Sequence, residues 1–262
     1  MNNKIKIMII GVVSYFLISL IVLVINNSNR YIIVSNDFMF KVSNKSIKKV
    51  DKYPKYLNDK NVLYYDNGKK NNGYIHINKD GKINYYSKEY DRVMVNYYTL
   101  SSINNKKIKL IELKDEMIDS KDDEIINNYL LSNDINSEKK YTFVKKVKIK
   151  KNEYLYLISN HYTDEDIMNS YISKPDDLSY EVSFIYKNNK SYTLFQREGL
   201  ESGDYSILSS IFDYNNDGNY EIAFINLNYD DHYCLCAEVY YLDNNGYTSE
   251  ENCNLIVKQG VD

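Results

Sequence analysis

Ile211-Phe212-Asp213-Tyr214-Asn215-Asn216-Asp217-Gly218-Asn219-Tyr220-Glu221-Ile222-Ala223-Phe224-Ile225-Asn226-Leu227 is the stretch on which the fold turns. Its centre reads D-x-N-x-D-G-x-x-E. Oxygen side chains at alternate positions curl around a hard cation, glycine permits the sharp turn, and an acid closes the cage. Asp213, Asn215, Asp217 and Glu221 supply side-chain oxygens, and Asn219 sits where a backbone carbonyl joins. Three carboxylates and one amide suit Ca²⁺ rather than a metal that prefers thiolate or imidazole. Asp, Asn and Gly are also the preferred residues of a tight turn that holds no ion.

The residues after the loop decide between folds. An EF-hand needs a bidentate acid at position 12 and a helix. Position 12 is Phe224, and Tyr220 to Leu227 is rich in strand formers. The unit is therefore strand–loop–strand. It resembles the calcium loops of integrin α-subunit-type propeller repeats (FG-GAP or VCBS-like), where a strand runs into D-x-[DN]-x-D-G-x-x-[DE] and an apolar strand comes next. The resemblance covers residues 211–225 in one copy, without the Phe-Gly and Gly-Ala-Pro signatures. It implies a calcium-stabilised β domain.

The surrounding chain reads the same way. Runs at 141–149, 153–159, 180–187, 191–198, 205–212, 233–242 and 253–259 alternate or cluster strand formers. Asn188-Asn189 and Asp243-Asn244-Asn245-Gly246 punctuate them as hairpin turns. Upstream, 62–68, 73–81 and 82–87 form a hairpin series. Residues 31–42 read as one extended segment and 43–60 as a Lys- and Asn-rich loop. His76-x-Asn78-x-Asp80-Gly81 is a faint second copy of the loop. Only 114–133 changes period: Ile125, Ile126, Tyr129 and Leu130 fall at helical spacing, with Ser120 and Asp122 as available caps and the acidic run as a solvated face.

Ile7 to Ile25 is an uncharged run of nineteen residues. A helix of that length spans about 28 Å, close to a bilayer's hydrocarbon core. Lys4 and Lys6 precede it, and no acid occurs before Asp37, so the N-terminus is expected in the cytoplasm. The run is longer than a signal-peptide core and ends without small residues in an A-x-A pattern. The expected organisation is therefore a cytoplasmic tip and signal-anchor at 1–26, a juxtamembrane strand and loop at 27–60, and an extracytoplasmic β domain at 61–262. A subdivision near 114–140 is allowed. The fold class is mainly β: an N-terminal transmembrane helix, then an antiparallel β domain with one short helix, as a sandwich or a partial propeller.

Composition limits the partners. Without Lys4 and Lys6, 31 basic residues face 36 acidic ones, which argues against nucleic acid. Twenty-nine tyrosines suit strands and could stack on sugars, but Asn, Lys, Ile and Tyr all have AT-rich codons. The three cysteines, Cys234, Cys236 and Cys253, allow one disulfide outside the cell. Cys234 and Cys236 share a strand face two apart, so Cys253 is the better partner for either. His232, Cys234 and Cys236 spread over about 13 Å along a strand, too far for one zinc shell. Paired acids such as Asp122-Asp123 read as surface. No catalytic signature occurs, so the expected role is structural or ligand-binding at the cell surface, toward a protein or cell-wall ligand. The alternative is an envelope hydrolase with an unrecognised acidic site.

Overall fold

The computed structural model describes residues 30–35, 38–43, 46–57, 61–66, 69–77, 83–87, 99–103, 108–135, 141, 143–160, 179–198, 205–228, 233–244 and 246–256. The 7–25 segment lies outside them, as do most of 161–179, His232 and the turn of the faint repeat. No helix among the described residues is long and apolar enough to cross a membrane.

Among the described residues, sixteen strands form three antiparallel sheets. The first holds β1 (Arg30–Val34), β2 (Phe38–Ser43), β3 (Ser46–Lys49), β4 (Asn61–Asp66), β5 (Lys69–Ile77), β6 (Ile83–Ser87) and β7 (Leu100–Ile103), in the order β3-β2-β1-β7-β4-β5-β6. The chain then crosses through β8 (Lys109–Ile111) to the one α-helix described, α1 (Ser120–Ser132). A meander comes next: β9 (Phe143–Lys150), β10 (Glu153–Asn160), β11 (Tyr180–Lys187) and β12 (Lys190–Glu198). The last sheet pairs β13 (Tyr205–Asp213), β14 (Glu221–Asn228), β15 (Tyr233–Leu242) and β16 (Tyr247–Ile256), with β8 added beside β13.

This last sheet lies between the other two. Ala223, Ile225, Ala237 and Val239 pack against Ile32, Phe38, Phe40 and Leu100 of the first sheet. Ile222, Phe224 and Tyr240 pack against Leu155, Leu157, Ile185 and Phe195 of the meander. A strand buried on both faces has no polar side to alternate, which is why 222–225 is an unbroken apolar run. Strand β13 needs one correction of phase to serve both cores. Its register shifts between Leu208 and Ser210, a bulge that lets Leu208 and Ile211, three apart, share the meander-side core. Beyond the meander, α1 forms a fourth layer through Ile126, Tyr129 and Leu130, against Tyr156, Val182 and Phe184.

The first sheet is strongly curled but does not close. Strand β6 lies four positions from β1, about 19 Å away in a flat sheet. Yet Tyr85 of β6 donates to the carbonyl of Ser35, just past β1, at 3.4 Å. The concave face encloses Tyr31, Ile33, Met39, Leu57, Ile75 and Tyr85.

Three local expectations are corrected. Residues 31–42 are a hairpin rather than one extended segment, because Ser35 takes a left-handed φ of 56° and turns the chain back. The 43–60 loop contains β3 and a 3-10 turn at Lys55–Leu57. Ile47 explains the strand, since its side chain fills the core beside Val42. Helix α1 is capped by Asp119, not by Ser120 or Asp122. Asp119 accepts from the amides of Lys121 and Asp122, and Asp122 reaches back to the Asp119 amide, a reciprocal capping box. Asp122 is also 3% exposed rather than solvated.

Cys236 and Cys253 face each other directly across β15 and β16, with sulfurs 2.10 Å apart. Cys234 pairs in register with Leu255 instead. Alkylation of the unreduced protein is therefore expected to block one thiol, assigned by peptide mapping to Cys234. Blocking of three thiols would mean that the cysteines stay reduced. Such a bridge closes a short loop and is worth about 3 kcal/mol, so reduction should lower the urea midpoint.

Candidate metal-binding loop

The loop joins β13 to β14 at one end of the middle sheet. Its first and last acids end one strand and begin the next, so the sheet holds both in place. Asp213 is 2% exposed and Glu221 3%, while Asp217 stands in solvent. The backbone is shaped by two left-handed residues, Asn216 at φ 59° and Gly218 at φ 85°. Asparagine tolerates that region and glycine adopts it without steric cost. A side chain at Gly218 would meet no neighbour within 4 Å, so the backbone angle alone selects glycine there.

Side-chain oxygens organise the turn. Asp213 Oδ2 accepts from the Gly218 amide at 3.0 Å, Asn215 Oδ1 from the Asp217 amide at 3.0 Å, and Asp217 Oδ1 from the Asn219 amide at 2.7 Å. Glu221 Oε2 accepts from the Tyr214 amide at 3.2 Å and closes the ring. The side-chain amide of Asn215 donates to Asp217 Oδ2 at 2.9 Å. Each expected ligand side chain thus already points into or along the turn.

Two features concern charge. Asp213 Oδ1 is buried and accepts no hydrogen bond. Burial, with the Asp213 and Asp217 carboxylates nearby, pushes the Glu221 carboxyl up to about 8 despite its bond from Tyr214. Two buried acids in one turn therefore lack full compensation from within the loop. Lysines stand around it: Lys109 is the register partner of Asp213, and the Lys150 ammonium donates to the Gly218 carbonyl. Both lie over the Tyr220 ring, at 5.6 and 5.2 Å.

The donor set fits a hard cation: an orphaned carboxylate oxygen, a second buried acid and two further side-chain oxygens on one turn. The spacing is looser than a closed cage. Among the described residues, the set of acidic, cysteine or histidine groups with all ligand atoms within 4.8 Å of one another is Cys236, Glu251 and Cys253. Its two sulfurs are bonded to each other. A disulfide offers no thiolate, so this trio is not a metal site.

Sequence reasoning missed a partly buried ionic network between the meander and the middle sheet. Arg197 meets Glu238 at 2.9 Å, Glu181 at 3.5 Å and the Ser206 hydroxyl at 2.5 Å. Glu181 in turn accepts from the Ser206 amide and hydroxyl. Asn226 donates to Glu238 at 3.2 Å. The available clue was that Arg197 is one of only three arginines among 33 basic residues. A planar fork is favoured where two carboxylates must be bridged out of water. Compared with family models, curated proteins and solved structures, the chain matches none of them.

Proposed function

We propose that the protein is a membrane-anchored extracytoplasmic protein whose β domain is locked by Ca²⁺ at the 213–221 loop, and that it works by binding or by structure rather than by catalysis. The anchor is residues 7–25, with the N-terminus in the cytoplasm. The observation that carries the calcium reading is the buried Asp213 Oδ1 without a partner, in the same turn as buried Glu221. A buried carboxylate oxygen without a hydrogen bond is costly in a protein interior, and a cation offsets that cost. Asp213, Asn215, Asp217 and Glu221 would hold the ion with side chains and Asn219 with its carbonyl. The ion supplies positive charge that ties β13 to β14. Stacked sheets with apolar cores between them favour the sandwich alternative over a propeller fragment. The hydrolase reading would need two carboxylates facing a cleft. Glu181 and Glu238 do face each other, but across Arg197.

Melting of the full chain in neutral detergent, monitored by circular dichroism, tests this reading. Extracellular modules bind calcium at about 10⁻⁴–10⁻³ M. Tenfold above that constant, mass action adds about 1.4 kcal/mol and raises Tm by a few degrees. Asp213→Asn should abolish the shift and raise the melting point in chelator, because it removes a buried negative charge beside Glu221 and keeps an oxygen for the Gly218 amide. The control is Asn216→Gly rather than alanine, since that backbone is left-handed. It should retain the shift. In chelator, Glu221 folded holds a proton that the unfolded chain releases above its ordinary value of 4.5. Stability should therefore fall as pH rises from about 4.5 to 8, and calcium should flatten that slope. Identical wild-type curves with calcium and with chelator would reduce the loop to a turn.

A further inference from the structure

Positive charge is concentrated on one part of this acidic chain. Residues 41–60 carry seven lysines and two aspartates, while the whole chain has a net charge of −3. The fold gathers part of that charge into a groove of about 510 Å³ on the first sheet, lined by Lys41, Lys48, Lys49, Lys52, Asp51 and Tyr31 among others. Tyr31, Lys41 and Lys48 stand directly opposite one another across β1, β2 and β3. Lysines directly opposite on paired strands repel and weaken the pairing. Asp51 meets Lys49 at 3.8 Å. The floor is Tyr31, whose hydroxyl bonds that of Tyr56 at 2.7 Å. The groove is thus a built concavity with an excess of cations, on strands that a bound anion would relieve.

Its place in the chain identifies the anion. Only four residues separate Arg30, which opens β1, from Ile25, the last residue of the apolar run. Five Cα–Cα steps from Ile25 to Arg30 reach at most about 18 Å. Tyr31 is the next residue, and Lys41 is its cross-strand partner, one strand spacing of about 4.8 Å away. Lys41 therefore stands within a few residues' reach of the bilayer surface.

We infer that the Lys41–Lys48–Lys52 groove binds the phosphate of anionic phospholipid headgroups and so seats the β domain on the membrane. The inference rests on residues 7–25 being an uncleaved anchor. Each lysine brought to an anionic surface contributes about 1 kcal/mol, which corresponds to about a fivefold change in the bound population. The interaction should also weaken with salt.

Amine-labelling rates test it, on the full chain inserted in nanodiscs of phosphatidylcholine alone or mixed equally with phosphatidylglycerol. Lys41, Lys48 and Lys52 should label about fivefold more slowly in the anionic discs. Lys121, Lys151 and Lys190, exposed on the helix and meander, should label equally in both. The double variant Lys41→Gln/Lys48→Gln should return Lys52 to its neutral-disc rate without lowering Tm, since it removes a repulsive pair. Equal groove rates in both discs, with the chain inserted and of full mass, would overturn the headgroup assignment and leave the anchor standing. Protection in neutral discs by soluble glycerol phosphate alone would overturn it in favour of a free anion. A chain that enters neither disc, or has lost residues 1–26 by intact mass, would overturn the anchor and the headgroup site with it.

Discussion

Asp122→Ala is expected to destabilise the protein by about 3–5 kcal/mol, the cost of leaving one partner of a buried ion pair alone. Asp122 joins two layers. Its carboxylate accepts from Lys146 Nζ at 2.8 Å, from the Tyr156 hydroxyl at 2.5 Å and from the Asp119 amide at 2.9 Å. Two of those donors belong to the meander and one to the helix start. Burial alone would raise its carboxyl; the Lys146 ammonium, the Tyr156 hydroxyl and the Asp119 amide together hold it below the usual carboxylate range. Its contribution is therefore present above about pH 4 and lost as pH falls through the depressed value. Alanine leaves the Lys146 ammonium, 11% exposed, without its carboxylate, and removes half of the capping box. Urea denaturation monitored by circular dichroism reads the loss. Replacing both partners, Asp122→Leu with Lys146→Met, should recover most of it, because no uncompensated charge remains. A single-variant loss below about 1 kcal/mol would mean that the pair is hydrated and the helix is held by Ile126, Tyr129 and Leu130 alone.

Phe224→Ala should cost about 3–5 kcal/mol, as expected for emptying an aromatic site in a packed core. Phe224 is fully buried in the middle sheet and meets Phe195 of the meander edge to face at 5.1 Å and Tyr240 at 5.9 Å. Phe224→Leu keeps most of the volume and should cost less than half as much. The informative partner is Val239→Ala, which empties a site on the opposite face of the same sheet, against the first sheet. Because the two side chains fill separate cores on opposite faces of the sheet, the double variant should equal the sum of the singles to within about 0.5 kcal/mol. Strong coupling would mean that the two cores are one.

The eight strands from 143 onward were legible because each is bounded by turn residues and filled with strand formers. The Asn188-Asn189 turn is a clear case: both residues are left-handed, at φ 52° and 58°, the geometry that matches strand twist. Helix α1 was legible from its period, but its cap was not. Asp119, Ser120 and Asp122 are all competent caps, and only the packing of Asp122 against Lys146 and Tyr156 decides among them. Asp122 also shows why burial of acids escaped the sequence: a carboxylate beside another carboxylate reads as surface until its donors, 24 and 34 residues away, are known. Layer order escaped for a similar reason. The pattern of 222–225 announces a strand covered on both sides, and nothing local says which sheets cover it. At the candidate loop, ligand types and spacing were visible in the motif, whereas the buried orphan oxygen of Asp213 depends on where β13 enters the sheet.

The order in which the layers appear along the chain has a consequence in time. The first sheet and the meander are synthesised before β13–β16, which must fill the space between them. Bonds across that seam are remote in sequence: Asn252 donates to the Met39 carbonyl over 213 residues, and the Lys49 amide to Glu250 over 201. Topologies dominated by such pairings fold slowly, since loop closure precedes any reward. Until residues 205–256 arrive, Phe38, Phe40, Leu155 and Leu157 face water. A nascent or clipped chain ending before Tyr205 is therefore a sticky species, exposing two apolar sheet faces at once. A chain of this architecture gains from a chaperone stationed where it emerges, and residues 205–256 act as the keystone set last.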